Sequence, residues 1–204
     1  MTTNDLQANW THKDLISIHD LSAEDVEALF QLAANVKARP DRYRTALAGQ
    51  TLAMIFEKPS LRTRVSFEVG MNQLGGHAIN LDQKDIGLGK RESVEDVARV
   101  LGRMCDIIMA RTFSHQHVLE LAKWATVPVI NGLSDYNHPC QAMADGLTIL
   151  ETKGRIKGVN VTYIGDGDTV DGTETCVRQG ELTSCKKSPT RVLEIDRAIA
   201  VTAG

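Results

Sequence analysis

The sequence has few cysteines, no long hydrophobic run and no excess of positive charge, and each lack removes a class of protein. Its four cysteines, Cys105, Cys140, Cys176 and Cys185, are scattered and have no histidines at zinc-ligand spacing. That argues against a metal site and against a disulfide framework. The longest apolar runs are far too short to span a bilayer, so no membrane partner is expected. A formal net charge of −3 leaves no electrostatic footprint for nucleic acid. The first residues, Met1-Thr2-Thr3-Asn4-Asp5-Leu6, do not run from a basic segment into an apolar one. No secretory signal is read there, and the expected location is cytoplasmic. There are no internal repeats. No pair of carboxylates is set up for sugar chemistry, and no lysine for a Schiff base.

What is present is regular alternation. The apolar fraction of 42% suits a globular chain with a real core. Ser22-Ala23-Glu24-Asp25 reads as a capping box with Asp in place of Glu. Val26, Leu29, Phe30 and Ala33 follow at helical spacing until Pro40 stops the pattern. A strand over 51–56, a helix over 62–74 ended by Gly75-Gly76, and a short strand over 77–81 come next. A polar loop runs from Asp82 to Arg91. Ser93 then caps a helix whose buried face is expected to carry Val97, Val100, Leu101 and Met104. Asp106–Ala110 reads as a continuous apolar strand covered on both faces. A helix over 115–125, a strand over 127–130, a helix over 139–152 and a strand over 159–164 complete the pattern. The fold class is therefore α/β, a parallel sheet flanked by helices.

In open α/β sheets, ligands bind beyond the carboxyl ends of the strands. After the strand 51–56 the chain reads Ser60-Leu61-Arg62-Thr63-Arg64. It combines two hydroxyls and two guanidiniums with the unpaired N–H groups of a helix start. Arg111-Thr112 directly follow another strand end, and Asn137-His138-Pro139-Cys140-Gln141 open a later helix. Together these residues can hold a phosphate and polarise a carbonyl. Taken alone, a Ser/Thr/Arg cluster is more often a helix cap with solvated charges, and a lone His138 a satisfied loop histidine. Cys140 reads as a small packed hydrophobe rather than a nucleophile. His115 and His117 read as lying on a solvated helix face, Lys186-Lys187 as solvated tail, and Cys176 and Cys185 as incidental. Gly165-Asp166-Gly167 lacks the third glycine of a dinucleotide fingerprint and reads as an ordinary strand-to-helix turn.

From about 12 to 167 the sequence resembles the ornithine carbamoyltransferase family. Ser60-Leu61-Arg62-Thr63-Arg64 is similar to that family's carbamoyl-phosphate loop, S-T-R-T-R, with Leu61 at the position of a threonine. The hydroxyl is lost and the backbone N–H kept. Phe56-Glu57-Lys58-Pro59 and the Cys140 of His-Pro-Cys-Gln look like the ornithine branch rather than the aspartate branch. Gly87–Ser93 and Val97–Met104 also resemble the family. The resemblance implies that Ser60, the Leu61 N–H, Arg62 and Thr63 hold phosphate. It implies that Arg111, His138 and Gln141 bind the carbamoyl group, with Arg111, His138 and Thr63 in the catalytic role. Carbamoyl phosphate and ornithine are the implied substrates, a homotrimer the implied assembly, and no metal or cofactor is called for. In the family a side chain from the neighbour's 82–91 loop reaches the ligand; Gly87 offers none, and Lys90 is the candidate substitute.

The family pattern breaks after Gly167. Residues 168–204 resemble nothing in it, and neither its S-M-G loop nor its H-C-L-P motif is found there. The expected organisation is a carbamoyl-phosphate-binding domain over 1–152, the start of an ornithine-binding domain over 153–167, and a divergent, poorly packed tail over 168–204. A truncated or frame-shifted form with little activity is the expectation. Two alternatives stay open. One is a non-catalytic carbamoyl-phosphate or anion-binding oligomerisation module. The other is a carbamoyltransferase for another amine acceptor such as aspartate.

Overall fold

The computed structural model describes residues 10–163 and the short segments 175–178, 181–184 and 191–194. Their backbone forms two compact units. One takes Thr11–Ile16 and Ala33–Ser134; the other takes Trp10, Ser17–Leu32 and the described residues from 135 onward.

The first unit is built on a four-stranded sheet. Its strands are β1 (Thr51–Phe56), β2 (His77–Asp82), β3 (Ile107–Arg111) and β4 (Val129–Leu133), in the order β2-β1-β3-β4. All three pairings are parallel. Every connection must therefore cross over, and α2 (Leu61–Gln73), α4 (Val94–Met104) and α5 (His115–Trp124) do so. The one-turn helix α3 (Gln83–Ile86) lies in the segment expected to be loop. Ala53, Ile55, Ile108, Ala110 and Val129 are buried against Val97, Ala98, Val118 and Leu121 of the helices. Leu52, Met54, Phe56 and Met109 form a second cluster with Met71 of α2. The two inner strands are thus covered on both faces, which is why they read as unbroken apolar runs. The segment before Ser17 closes the β4 edge. Leu15 accepts from Asn131 N–H and donates to Val129 at 2.8 and 2.9 Å, which protects an otherwise open edge.

Two expectations needed correction here. The buried face of α4 carries Val94, Val97 and Ala98, with Leu101 packed beside them. Val100 is 50% and Met104 77% exposed. The apolar stripe is centred closer to Val94 and Ala98, so those two side chains fall on its margin. The last strand of the sheet also lies further along than 127–130. It begins at Val129 and continues through Asn131-Gly132-Leu133, although Asn and Gly have low strand propensity. Tertiary contacts compensate. Asn131 is buried, donating to Ile16 O at 2.9 Å and accepting from Leu133 N–H at 3.0 Å. Gly132 is the extra residue of a bulge: Ala110 pairs with Asn131 and Arg111 with Leu133. A Cβ there would run into the Sδ of Met109.

The second unit contains the N-terminal part of α1 (Ala23–Ala38) and α6 (Pro139–Lys153). The Ser22 capping box forms as read, with Ser22 N–H donating to Asp25 at 2.9 Å and Asp25 N–H to Ser22 Oγ at 3.1 Å. Phe30 of α1 lies against Gly146 of α6, where a side chain would leave the ring no room. Asn137 donates to Ser17 Oγ at 2.8 Å. Strand β5 (Asn160–Tyr163) pairs antiparallel with β8 (Arg191–Glu194), and β6 (Thr175–Arg178) with β7 (Glu181–Ser184). Apart from these strands, the readings made for 168–204, and the turn at Gly165–Gly167, fall outside the described residues.

Candidate functional site

The strand order decides where chemistry can collect. From β1 the chain crosses to β2 on one side, then returns past β1 to β3 on the other. The connections that leave the adjacent carboxyl ends of β1 and β3 therefore run in opposite directions, the arrangement of a topological switch point. Two of the sequence-predicted segments leave from these ends. Phe56 and Arg111 are register partners, and Glu57 N–H donates to Arg111 O at 2.9 Å.

Ser60 is the N-cap of α2, in extended backbone. Its Oγ accepts from Thr63 N–H at 3.4 Å and donates to Thr63 Oγ1 at 3.0 Å, so the two predicted hydroxyls are linked. The N–H groups of Leu61 and Arg62, the first two of the helix, have no backbone acceptor among the described residues. They carry the positive end of the helix dipole. Arg62 is exposed, and Arg64 is drawn to Glu68 one turn on, at 3.0 Å. Arg111 sits at the end of β3 with 6% exposure.

One further residue organises this end of the sheet. The Glu57 side chain is only 3% exposed. Its Oε2 accepts from Phe113 N–H at 2.9 Å and meets His117 Nδ1 at 3.2 Å. It thus ties the loop before Ser60 to the loop after Arg111. Lys58 stacks its ammonium 5.1 Å from the Phe113 ring centre. The reading of His115 and His117 as solvated is corrected by these contacts. His117 pairs with Glu57, and His115 Nδ1 lies 2.8 Å from Ser134 Oγ. Their partners are distant in sequence, so no local pattern could signal them.

His138 and Gln141 form the second predicted cluster, at the start of α6. His138 is the N-cap, and its Nδ1 accepts from Gln141 N–H at 3.3 Å. A neutral imidazole accepting at Nδ1 carries its proton on Nε2, so His138 is set as a donor there. The Gln141 amide donates to Asp145 Oδ1 at 2.9 Å. Between them, burial pushes the Cys140 thiol up to about 12, against a weaker opposing backbone hydrogen bond. Cys140 is half-buried, and a thiol raised in this way does not suit a nucleophile. Among the described residues no group of three or more His, Cys, Asp and Glu is gathered for a metal ion, and no helix is long and apolar enough to cross a membrane.

Comparison with known proteins gives this arrangement its family. Residues 13–151 match the model of the carbamoyl-phosphate-binding domain of aspartate/ornithine carbamoyltransferases. The ornithine carbamoyltransferase of Bacillus subtilis is 58% identical over 158 residues, 78% of this chain and 49% of that protein. That of Anoxybacillus flavithermus is 55% identical over 161 residues, 78% of this chain and 51% of the relative. The structure of the Pyrococcus furiosus ornithine carbamoyltransferase superposes with a TM-score of 0.70 at 53% identity, covering 72% of this chain and 48% of that one. The chain thus spans about half the length of the curated relatives it matches. With the parallel sheet and the Ser60–Arg64 loop at its switch point, these matches place the chain in the aspartate/ornithine carbamoyltransferase family, which it joins through the carbamoyl-phosphate-binding domain.

Proposed function

We propose that this chain binds carbamoyl phosphate and is the carbamoyl-phosphate half of an ornithine carbamoyltransferase. The observation that carries the reading is the placement of Ser60–Arg64 and Arg111 at the adjacent carboxyl ends of β1 and β3, where the strand order reverses. The family match over 13–151 supports a functional boundary near residue 152. In this reading Ser60, the Leu61 and Arg62 N–H groups, the Arg62 guanidinium and Thr63 bind the phosphate. Each is a donor, and the ligand is an anion at a helix start. Arg111 and His138 donate to the carbamoyl oxygen, and Gln141 receives the amino group.

The chemistry then follows. The neutral side-chain amine of ornithine attacks the carbamoyl carbon. Negative charge grows on the carbonyl oxygen, where Arg111, His138 Nε2–H and Thr63 stabilise it. Donors aimed at developing charge contribute about 3 kcal/mol each in favourable cases. The bond to the phosphate oxygen breaks, phosphate departs with that electron pair and takes up the proton that the amine loses, leaving citrulline. A homotrimer, with Lys90 as the cross-subunit contact, is the assembly the family resemblance supports.

The direct test is calorimetric titration of carbamoyl phosphate into the chain, with inorganic phosphate as competitor. The expected result is saturable binding that phosphate displaces. A chain that takes up neither ligand would sink the reading.

A further inference from the structure

We propose that Asp145 is a positioning residue that fixes which end of the Gln141 amide faces substrate, and thereby lets the protein tell a carbamoyl from an acetyl group. The inference rests on the reading of Gln141 as the partner of the carbamoyl amino group.

Polarity sets the orientation. A carboxamide is a donor at one end and an acceptor at the other, and free in water it presents either. Gln141 and Asp145 lie one turn apart on α6, and Gln141 Nε2 is 2.9 Å from Asp145 Oδ1. A carboxylate only accepts, so the NH2 group of Gln141 must face it. The amide oxygen is turned the other way, as an acceptor. Three residues earlier the same helix start fixes His138 in the opposite sense. Its Nδ1 accepts from Gln141 N–H at 3.3 Å, which leaves the proton on Nε2. One turn of helix therefore presents a donor at His138 and an acceptor at Gln141. A carbamoyl group has the complementary pair, an accepting oxygen and a donating NH2. An acetyl group has the same oxygen and a methyl in place of the NH2. It offers nothing to the Gln141 oxygen and leaves that oxygen without a partner. Both Gln141 and Asp145 are exposed, so a change at Asp145 acts on the amide without disturbing a core.

The experiment measures affinities for carbamoyl phosphate, acetyl phosphate and inorganic phosphate by calorimetry on the full 204-residue chain and its variants. The quantity read is the carbamoyl-to-acetyl affinity ratio, in which any general change of charge cancels. The unsubstituted chain is expected to favour carbamoyl phosphate. Asp145→Lys replaces an acceptor by a donor and turns the amide round, and the ratio is expected to fall about tenfold, the effect of one hydrogen bond of about 1.4 kcal/mol. Asp145→Glu keeps the acceptor and is expected to restore most of the ratio. Inorganic phosphate binding in each variant reports that the fold is intact. If the lysine variant no longer binds phosphate, Asp145→Asn, which allows either amide orientation, is expected to give an intermediate ratio. An unchanged ratio in the lysine or asparagine variant overturns the proposal while leaving carbamoyl-phosphate binding standing. So does an unsubstituted chain that binds both acyl phosphates equally. Binding of neither overturns both readings.

Discussion

A carboxylate with 3% of its side chain exposed needs donors, and Glu57 has two, from Phe113 N–H and His117. Removing it by Glu57→Ala leaves those donors facing a cavity. Each orphaned buried group costs about 1–3 kcal/mol, so a loss of roughly 2–4 kcal/mol of unfolding free energy is expected. Urea denaturation checks this, and a midpoint equal to that of the parent would refute the bracing role. Cys140 makes a second residue-scale prediction. A thiol pushed up to about 12 holds less thiolate at any pH below that value than an ordinary cysteine does, and thiolate is the reactive form. Alkylation of Cys140 at pH 8, followed by peptide mapping, should therefore be much slower than alkylation of free cysteine. Its rate should keep rising with pH past the point where free cysteine levels off. Equal rates at pH 8 would show the thiol to be accessible and ordinary. Both side chains were only partly legible. Cys140, half-buried in the structure, could be read as a small packing residue because no base is positioned beside it by the sequence. The role of Glu57 depends on residues 56 and 60 positions away, which no local pattern reports.

At the scale of elements, period and punctuation carried most of the fold. β1 spans Thr51–Phe56, and α6 runs Pro139–Lys153, from the proline at its first turn to the glycine that follows its last residue. The element that departed furthest is β4. Asn131 and Gly132 are poor strand formers, and they stay in the sheet because of what surrounds them: the Asn131 bond to Ile16 and the space Gly132 leaves for Met109. That makes Gly132 sensitive. Gly132→Val would drive a branched side chain into fully buried Met109. Overpacking of this kind costs about 1–3 kcal/mol. A matching drop in the thermal midpoint is expected, and a midpoint at or above that of the parent would contradict the close approach. Gly87 has a different requirement. It ends α3 in the left-handed region at φ 63, where a Cβ would also meet that of Arg91 at 2.7 Å. The absence of a side chain at this position therefore has a local cause, independent of any role in contacting a neighbouring subunit.

At the scale of the whole molecule, the phosphate-binding candidates Ser60–Thr63 and Arg111 belong to one compact unit and depend on one sheet. Binding and turnover should therefore separate in this polypeptide. Carbamoyl transfer depends on holding two substrates in an attacking geometry, an effect worth up to about 7–11 kcal/mol. Neither ornithine motif of the family is found in residues 168–204. The 204-residue chain by itself is expected to make little citrulline from carbamoyl phosphate and ornithine, and a colorimetric citrulline assay measures this. Turnover at the rate of a full-length relative would mean that the attacking amine is oriented by groups other than those motifs. The central claim, that the loop beyond β1 is the phosphate site, has a more direct test. Carbamoyl phosphate is titrated calorimetrically into the unsubstituted chain and into Arg62→Ala, side by side. Arg62 is exposed and makes no ion pair among the described residues, so the fold should be unaffected. A loss of about 1.5–3 kcal/mol of binding free energy is expected, the contribution of a charge-assisted hydrogen bond. Equal affinity in the two proteins would contradict it.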